Sequence, residues 1–494
     1  MSWNADRAKA RIREHMKTVP AVDGNVALDS AKALATVRKS GLISRLPVRQ
    51  AFLVEGAHLY GQLLDFDDLV AESGTETEAS HRKLLRFLSM HYRVWDAIVD
   101  GDDGDRVDYH GARLHAVVTS PVGDPAAQIA RAVALARKLA EAADKLGKAH
   151  GFPSRIRFGI DQGRCLAMTT GRSHEKDTLF LGRPANHAAK LAAADQEEGI
   201  FLTETAQRRA KPGAVRKSAG RTVLDESYVA EATRNFTFDS LDRRVAEIAL
   251  DVAEPAFHFK RPTLPLSGVK FADLTPAKSV RMGMATIFAD IDGFTRFVDA
   301  AIEGGADEIR KAVVTVHVIR EELNSVLKED FDGKRIRFIG DCIHGCVAES
   351  ERADDGPKSV RQAVICANAM RSSFDLCLEV VGSNAKIDLA VGIEYGPTPM
   401  TRLGYRGDDS VRCAASRATI DAERTQQAIE GGGIRLGPVA LRIAEPMVRK
   451  VFASGPLMSF DAATDLLAAP QSPTVQIVRS EPTARSHATP SKRG

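Results

Sequence analysis

The chain has 494 residues, 44% hydrophobic and 27% charged, with a formal charge of +3. That length suits about two to four domains, and so small a charge gives no basis for a nucleic-acid partner. No apolar run approaches the ~18–20 residues of a membrane span, and the segment Met1–Arg7 lacks a hydrophobic signal core, so the expectation is a cytoplasmic protein.

Six cysteines are scattered as Cys165, Cys342, Cys346, Cys366, Cys377 and Cys413, with no CxxC pair. Buried, reduced thiols are expected rather than disulfides or zinc.

In chain order, residues 1–44 form an N-terminal helical segment with basic patterns at Ala5–Met16 and Ser30–Arg38, expected to serve in packing or dimer contact; for Arg7–Lys17 a solvated helical face is read in preference to binding an acidic surface. A mixed α/β unit follows over 45–210. It carries a strand at Ala51–Gly56, a helix at Ser80–Val99 and a hairpin within Asp103–Val118. A helix at Asp124–Ala149, a strand at Arg155–Ile160 and a helix at Pro184–Ala194 complete it. Residues 211–280 read as a structured, proline-punctuated connector. The order then returns over 281–450. A strand at Ala285–Ala289 leads to a helix at Ala306–Leu327, a hairpin at Lys334–Ala348 and a helix at Pro357–Val381. A strand at Asp388–Gly396 follows, and a last helix is expected to start near Val411. Residues 451–494 form a C-terminal segment whose tail, polar and basic after 471, reads as disordered.

The two units read as an internal repeat. Asp103–His115 aligns without a gap to Asp332–His344, Gly159–Gly163 to Gly392–Gly396, and Ala188–Ala192 to Ala414–Ala418. Three matches in one order indicate duplication.

The second unit carries the chemistry. The run Ala285–Ala289 ends on Asp290, and Gly293 and Thr295 then open a helix whose N-terminal amides can hold phosphate. A second carboxylate, Asp341, sits at the tight turn of the later hairpin. Two aspartates at strand tips could share a pair of metal ions.

These pieces resemble the class III nucleotide cyclase family. The resemblance rests on Phe288-Ala-Asp290-Ile-Asp-Gly-Phe-Thr295, Ile339-Gly-Asp341 and Gly392-Ile-Glu-Tyr-Gly396, and in the first unit on Gly182-Arg-Pro-Ala-Asn186-His-Ala-Ala-Lys190. It is closer in the second unit than in the first. It implies an α+β protein with two ferredoxin-like βαββαβ domains in tandem, paired head to tail. The activity implied is closure of a nucleoside triphosphate to a 3′,5′-cyclic monophosphate with loss of pyrophosphate. By the resemblance, Asp290, Asp341 and the Ile291 carbonyl hold two divalent ions, Mn²⁺ or Mg²⁺, and Gly293, Phe294 and Thr295 cradle phosphate.

The first unit departs from the pattern. Leu53 is read at the place of Asp290 and Ala112 at that of Asp341, so that half lacks the metal aspartates. It keeps Asn186 and Lys190 where the family places a ribose-contacting Asn and a transition-state Arg. In the second unit the register is open between Cys413 with Arg417 and Arg412 with Ser416; Arg417 is favoured because it keeps an Arg.

At the base-reading position, four before the second metal aspartate, stand Arg337 in the second unit and Asp108 in the first. Neither unit offers an adenine-reading Lys–Asp pair. Arg337, donor-only, suits the carbonyls of uracil; Asp108, acceptor-only, suits an exocyclic amine such as that of cytosine. The combination resembles the pyrimidine cyclases of bacterial antiphage defence, whose cyclic product is read by a separate effector. UTP is favoured over CTP. Two other readings stand beside this one: an adenylate cyclase, and a catalytically silent nucleotide-binding scaffold. Whether the site forms within one chain, as a pseudo-dimer, or between two chains is open.

Overall fold

The structure is a computed structural model, described over residues 3–22, 46, 50–71, 76–99, 104–152, 154–170, 177–218, 221–234, 241–252, 256–349, 355–404 and 410–453. The helix expected at Ser30–Arg38 and the tail after 471 lie outside these residues.

Strand β1 (Ala51–Leu63) leads through α1 (Glu78–Val99) to the hairpin β2 (Gly104–His110) and β3 (Arg113–Val118). Helix α2 (Pro125–His150) then leads to β4 (Ile156–Thr170), β5 (Asp177–Leu181) and α3 (Arg183–Ala193). The sheet order is β2-β3-β1-β4-β5, with β6 (Gly199–Leu202) parallel to β4. The second unit repeats this with β7 (Ser279–Asp292), β8 (Lys334–Ile339), β9 (Cys342–Val347), β10 (Asp388–Leu403) and β11 (Val411–Ala414), in the order β8-β9-β7-β10-β11. Both contain the ferredoxin-like order, as the resemblance implied. Even the bulges match: the register shifts between Arg106 and Asp108 and again between Arg335 and Arg337.

Local sequence explains the long helices. Asp124 accepts from the Ala127 N–H at 3.0 Å, Pro125 fills the first turn, and Gly151 closes α2 in the left-handed region. Helix α1 buries Leu84, Leu88, Tyr92 and Trp95 against the first sheet. In the second unit α4 (Ala306–Ser325) and α5 (Gly356–Val381) cover the equivalent face with Val313, Val316, Met370 and Phe374.

Several expectations are revised. The strands at 51, 155, 285 and 388 run seven to nine residues longer than expected, because pairing continues into polar positions. Within the connector, Val215–Ser218 and Arg221–Leu224 pair as antiparallel strands, and Glu226–Arg234 and Leu241–Val252 are helices. Tyr228, Val229 and Ile248 join the first unit's core. Val411–Ala414 is a strand, paired with Met400–Leu403, and the helix α6 (Arg417–Gln427) begins only after Ser416, which caps it through the Thr419 N–H at 3.2 Å.

The N-terminal helix Ala5–Met16 packs on the second unit through Ala8 and Ile12, as expected, and Arg11 departs from the solvated face read for Arg7–Lys17. Arg11 pairs with Glu322 at 2.7 Å and Asp330 at 2.9 Å, both fully buried acids of the second unit, and Trp3 donates to Ser373 at 2.8 Å. The six cysteines are free and buried, as expected.

Candidate active site

The two sheets meet around charged side chains. Asp177 of the first unit accepts from Arg335 at 2.9 Å and also pairs with Arg412. Desolvation alone raises its carboxyl, but the two guanidinium groups overcome this and hold it below the usual range. Asp108 and Arg337, equivalent positions of the two units, form a direct ion pair.

Beside these contacts opens a cavity of about 930 Å³ lined by residues of both units. From the second unit come Asp290 and Ile291 of β7, Gly293, Phe294 and Thr295 at the next helix, and Asp341 at the β8–β9 turn. From the first come Asn186 and Lys190 of α3. Gly293 is suited to this bend, since its φ is +76° and a Cβ would sit 2.8 Å from the Lys386 carbonyl oxygen. Asn186 donates directly to the Thr295 hydroxyl, so the two halves touch at the site. Arg183 binds Asp299 at 3.0 Å along the same rim.

The electrostatics are those of crowded carboxylates. Burial pushes Asp290 up to about 6, the charges of Glu423 and Asp292 push the same way, and Lys190 opposes them. Asp341 is raised well above its ordinary value by desolvation and then by Asp290. Among the described residues no group of three or more His, Cys, Asp or Glu side chains could hold a metal. The two adjacent, desolvated carboxylates, with Ile291 lining the same cavity, nonetheless fit hard divalent cations, which would relieve their repulsion.

The structure redraws the internal alignment. Gly61 lies opposite Leu114 and Ala289 opposite Ile343, so Gln62, not Leu53, stands at the place of Asp290. Leu53 is nine positions away in the core; the longer strand moved the register. Ala112 does answer Asp341. A Cβ on Gly159 would meet Ala188 and Ala192, and one on Gly392 would meet Ala422 and Gln426. The α3 and α6 helices therefore align with Lys190 at Arg424 and Asn186 at Ile420. Arg417 is not at the expected position and does not line the cavity: it sits at the start of α6, its N–H donating to Glu76 at 2.7 Å. Arg337 and Asp108 do not line it either.

Sequence reasoning missed the aromatic and basic part of the wall. Tyr60, Arg113, Phe180 and Phe288 line the cavity. Tyr60 stacks on His115 at 4.0 Å and Phe288 on His344 at 4.3 Å, a matched pair in the two units. Arg113 binds Glu423 at 2.5 Å. The alternating pattern of β1 held the signal for Tyr60 once its full length is known. A second, smaller cavity of about 240 Å³ occupies the symmetry-related place, walled by Gln62, Ala112, Ile420 and Arg424. Its counterparts of the carboxylates and the Asn are gone.

Duplicated ferredoxin-like sheets, with carboxylates from one half facing an Asn and a cation from the other, define a nucleotide cyclase, and the chain belongs to the class III nucleotide cyclase family. Residues 60–235 match the adenylate and guanylate cyclase catalytic domain, on the unit without the aspartates rather than the one with them. The chain is 41% identical to a protein named uridylate cyclase from a Rhizobium species, covering 94% of this chain and 95% of that one. It is 34% identical to another uridylate cyclase, from Pseudomonas aeruginosa, over 99% and 95% of the two chains. A solved structure of a class III adenylyl cyclase-like ATP-binding protein from Pseudomonas aeruginosa superposes with a TM-score of 0.82 at 32% identity, covering 94% of this chain and all of that one.

Proposed function

We propose that the chain converts UTP to 3′,5′-cyclic UMP and pyrophosphate at one site formed between its own two halves. The observation that carries this reading is the cavity joining Asp290 and Asp341 of the second unit to Asn186 and Lys190 of the first. The uridine preference is supported by the two near full-length relatives named uridylate cyclase.

In this reading Asp290, Asp341 and the Ile291 carbonyl hold two divalent ions, Mn²⁺ or Mg²⁺. Bound ions of this kind lower the pKa of the 3′-hydroxyl and neutralise the triphosphate. The 3′-oxygen attacks the α-phosphorus, the bond to the β-bridging oxygen breaks, and the hydroxyl proton passes to solvent. Asn186 orients the ribose, exchanging its bond to Thr295. Lys190, which makes no ion pair or hydrogen bond among the described residues, meets the charge developing on the α-phosphoryl group. The N–H groups of Phe294 and Thr295 receive phosphate at the helix start.

The base lies against Tyr60, Phe180 and Phe288, with Arg113 as donor to a uracil carbonyl. Asp108 and Arg337 act behind this wall rather than on it. Nucleoside triphosphates are cytoplasmic, so the protein acts there. The cyclic product is a messenger for a separate effector in defence against phage.

ATP is the second reading, favoured by the solved relative, which is named as an ATP-binding protein. Incubation of the purified chain with Mn²⁺ and each of ATP, GTP, CTP and UTP, with the products identified, separates them. Cyclic UMP as the main product supports the proposal; cyclic AMP as the main product, or binding without turnover, contradicts it.

A further inference from the structure

Arg320 of α4 is 1% exposed and lies under the turn that carries Asp341. Its Nη1 donates to the Gly340 carbonyl at 2.6 Å, one peptide before the aspartate. Its guanidinium carbon sits 3.8 Å from the centre of the Phe338 ring, and that of Arg335 sits 4.5 Å from the same ring. Nε and Nη2 are buried without a hydrogen-bond partner. A buried cation with two unmade bonds is costly, and a Met of similar length would fill the space without that cost. The one hydrogen bond it makes points to what it holds.

That bond fixes a turn in which Gly340 has a φ of +58°. The turn is tied to the opposite half as well. Asp177 of the first unit accepts from Arg335 at 2.9 Å and from the Phe338 N–H at 3.3 Å. Contacts therefore run from the interface through Arg335 and Phe338 to Arg320 and Gly340.

We propose that Arg320 is a positioning residue: it holds the Gly340–Asp341 turn so that Asp341 meets a divalent cation in a fixed orientation. The inference rests on the reading of Asp341 as a metal ligand. Residues that orient metal ligands typically change metal affinity by about 10–100-fold when removed.

The test is Mn²⁺ binding to the full chain without nucleotide, followed by electron paramagnetic resonance. The variants are Arg320→Met, Arg320→Lys, Asp341→Ala and the double variant Arg320→Met/Asp341→Ala. Arg320→Met is expected to weaken Mn²⁺ binding by about tenfold or more, and to add nothing once Asp341 is absent. Arg320→Lys keeps the charge and one donor but not the planar fork, and falls between wild type and Arg320→Met. Wild-type affinity in Arg320→Met, or the same loss with and without Asp341, overturns the inference. If circular dichroism shows Arg320→Met unfolded, Arg320→Lys decides, and wild-type affinity there overturns it. Unchanged Mn²⁺ binding in Asp341→Ala overturns the metal reading itself, which is a separate result.

Discussion

Asp108 and Arg337 occupy the same place in the two copies of the fold, 229 residues apart, and they bind each other across the interface. Each follows a matched bulge, and each stands where a cyclase of this family would read a base. The pair instead joins the halves at their pseudo-twofold contact, and the nucleotide-sized cavity opens beside it.

The pair carries a pH signature. Desolvation pushes the Asp108 carboxyl up to about 6, outweighing the attraction of Arg337. A carboxyl raised in the fold above its unfolded value near ~3.9 costs stability as pH rises between the two. Compared with Asp108→Asn, wild type is expected to lose about 2–3 kcal/mol between pH 4 and pH 7, with no further divergence above pH 7. Urea unfolding of both proteins across that range checks it; parallel profiles would contradict the shift.

Asp177 has the opposite sign. Its carboxyl is depressed, so its stabilisation is present above ~3.9 and is lost as pH falls through its lower folded value. Asp177→Ala removes the carboxylate that Arg335 and Arg412 share in a buried setting. The expected cost is about 3–5 kcal/mol, read as a lower urea midpoint. A change under about 1 kcal/mol would show that solvent already screens the cluster.

The helix α3 makes its own prediction. Lys190→Ala is expected to lower kcat by about 10²-fold or more, as for loss of one transition-state contact. Arg417→Ala, whose side chain lies outside the cavity, is expected to stay within about twofold of wild type, against the ~10²-fold of a lost contact. Steady-state rates of both variants settle the ranking, and the reverse order would remove Lys190 from the transition-state role.

Tyr60 lines the cavity with Phe180 and Phe288, where the proposed function places the base. Tyr60→Ala is expected to reduce the preference for UTP over ATP by about tenfold or more, since pocket-filling differences are worth ~10–200-fold. The ratio of kcat/KM for the two substrates measures it, and an unchanged ratio would remove Tyr60 from base selection.

Much of this is legible in the sequence, for identifiable reasons. The duplication, the hairpins and the aspartates at strand ends follow from short-range pattern, and Asp290, Asp341, Asn186 and Lys190 all reach one cavity. Register is what the pattern leaves loose. The apolar core of β1 ends well before the strand does, which pulls Leu53 into the place of Asp290. Val411–Ala414 looks helical although it pairs as a strand, which pulls Arg417 into the place of Lys190. The mutual neutralisation of Asp108 and Arg337 is beyond reach, because it depends on how two sheets approach each other, and no single sheet's alternation encodes that.

In the proposed function, both halves of one chain build one active site. The direct measurement mixes two inactive variants, Asp290→Ala and Lys190→Ala, and follows pyrophosphate release with Mn²⁺ and UTP. An intrachain site predicts that the mixture stays as inactive as either variant alone. A gain toward wild-type activity on mixing would contradict it, because the intact carboxylates of one chain would then be meeting the intact lysine of another.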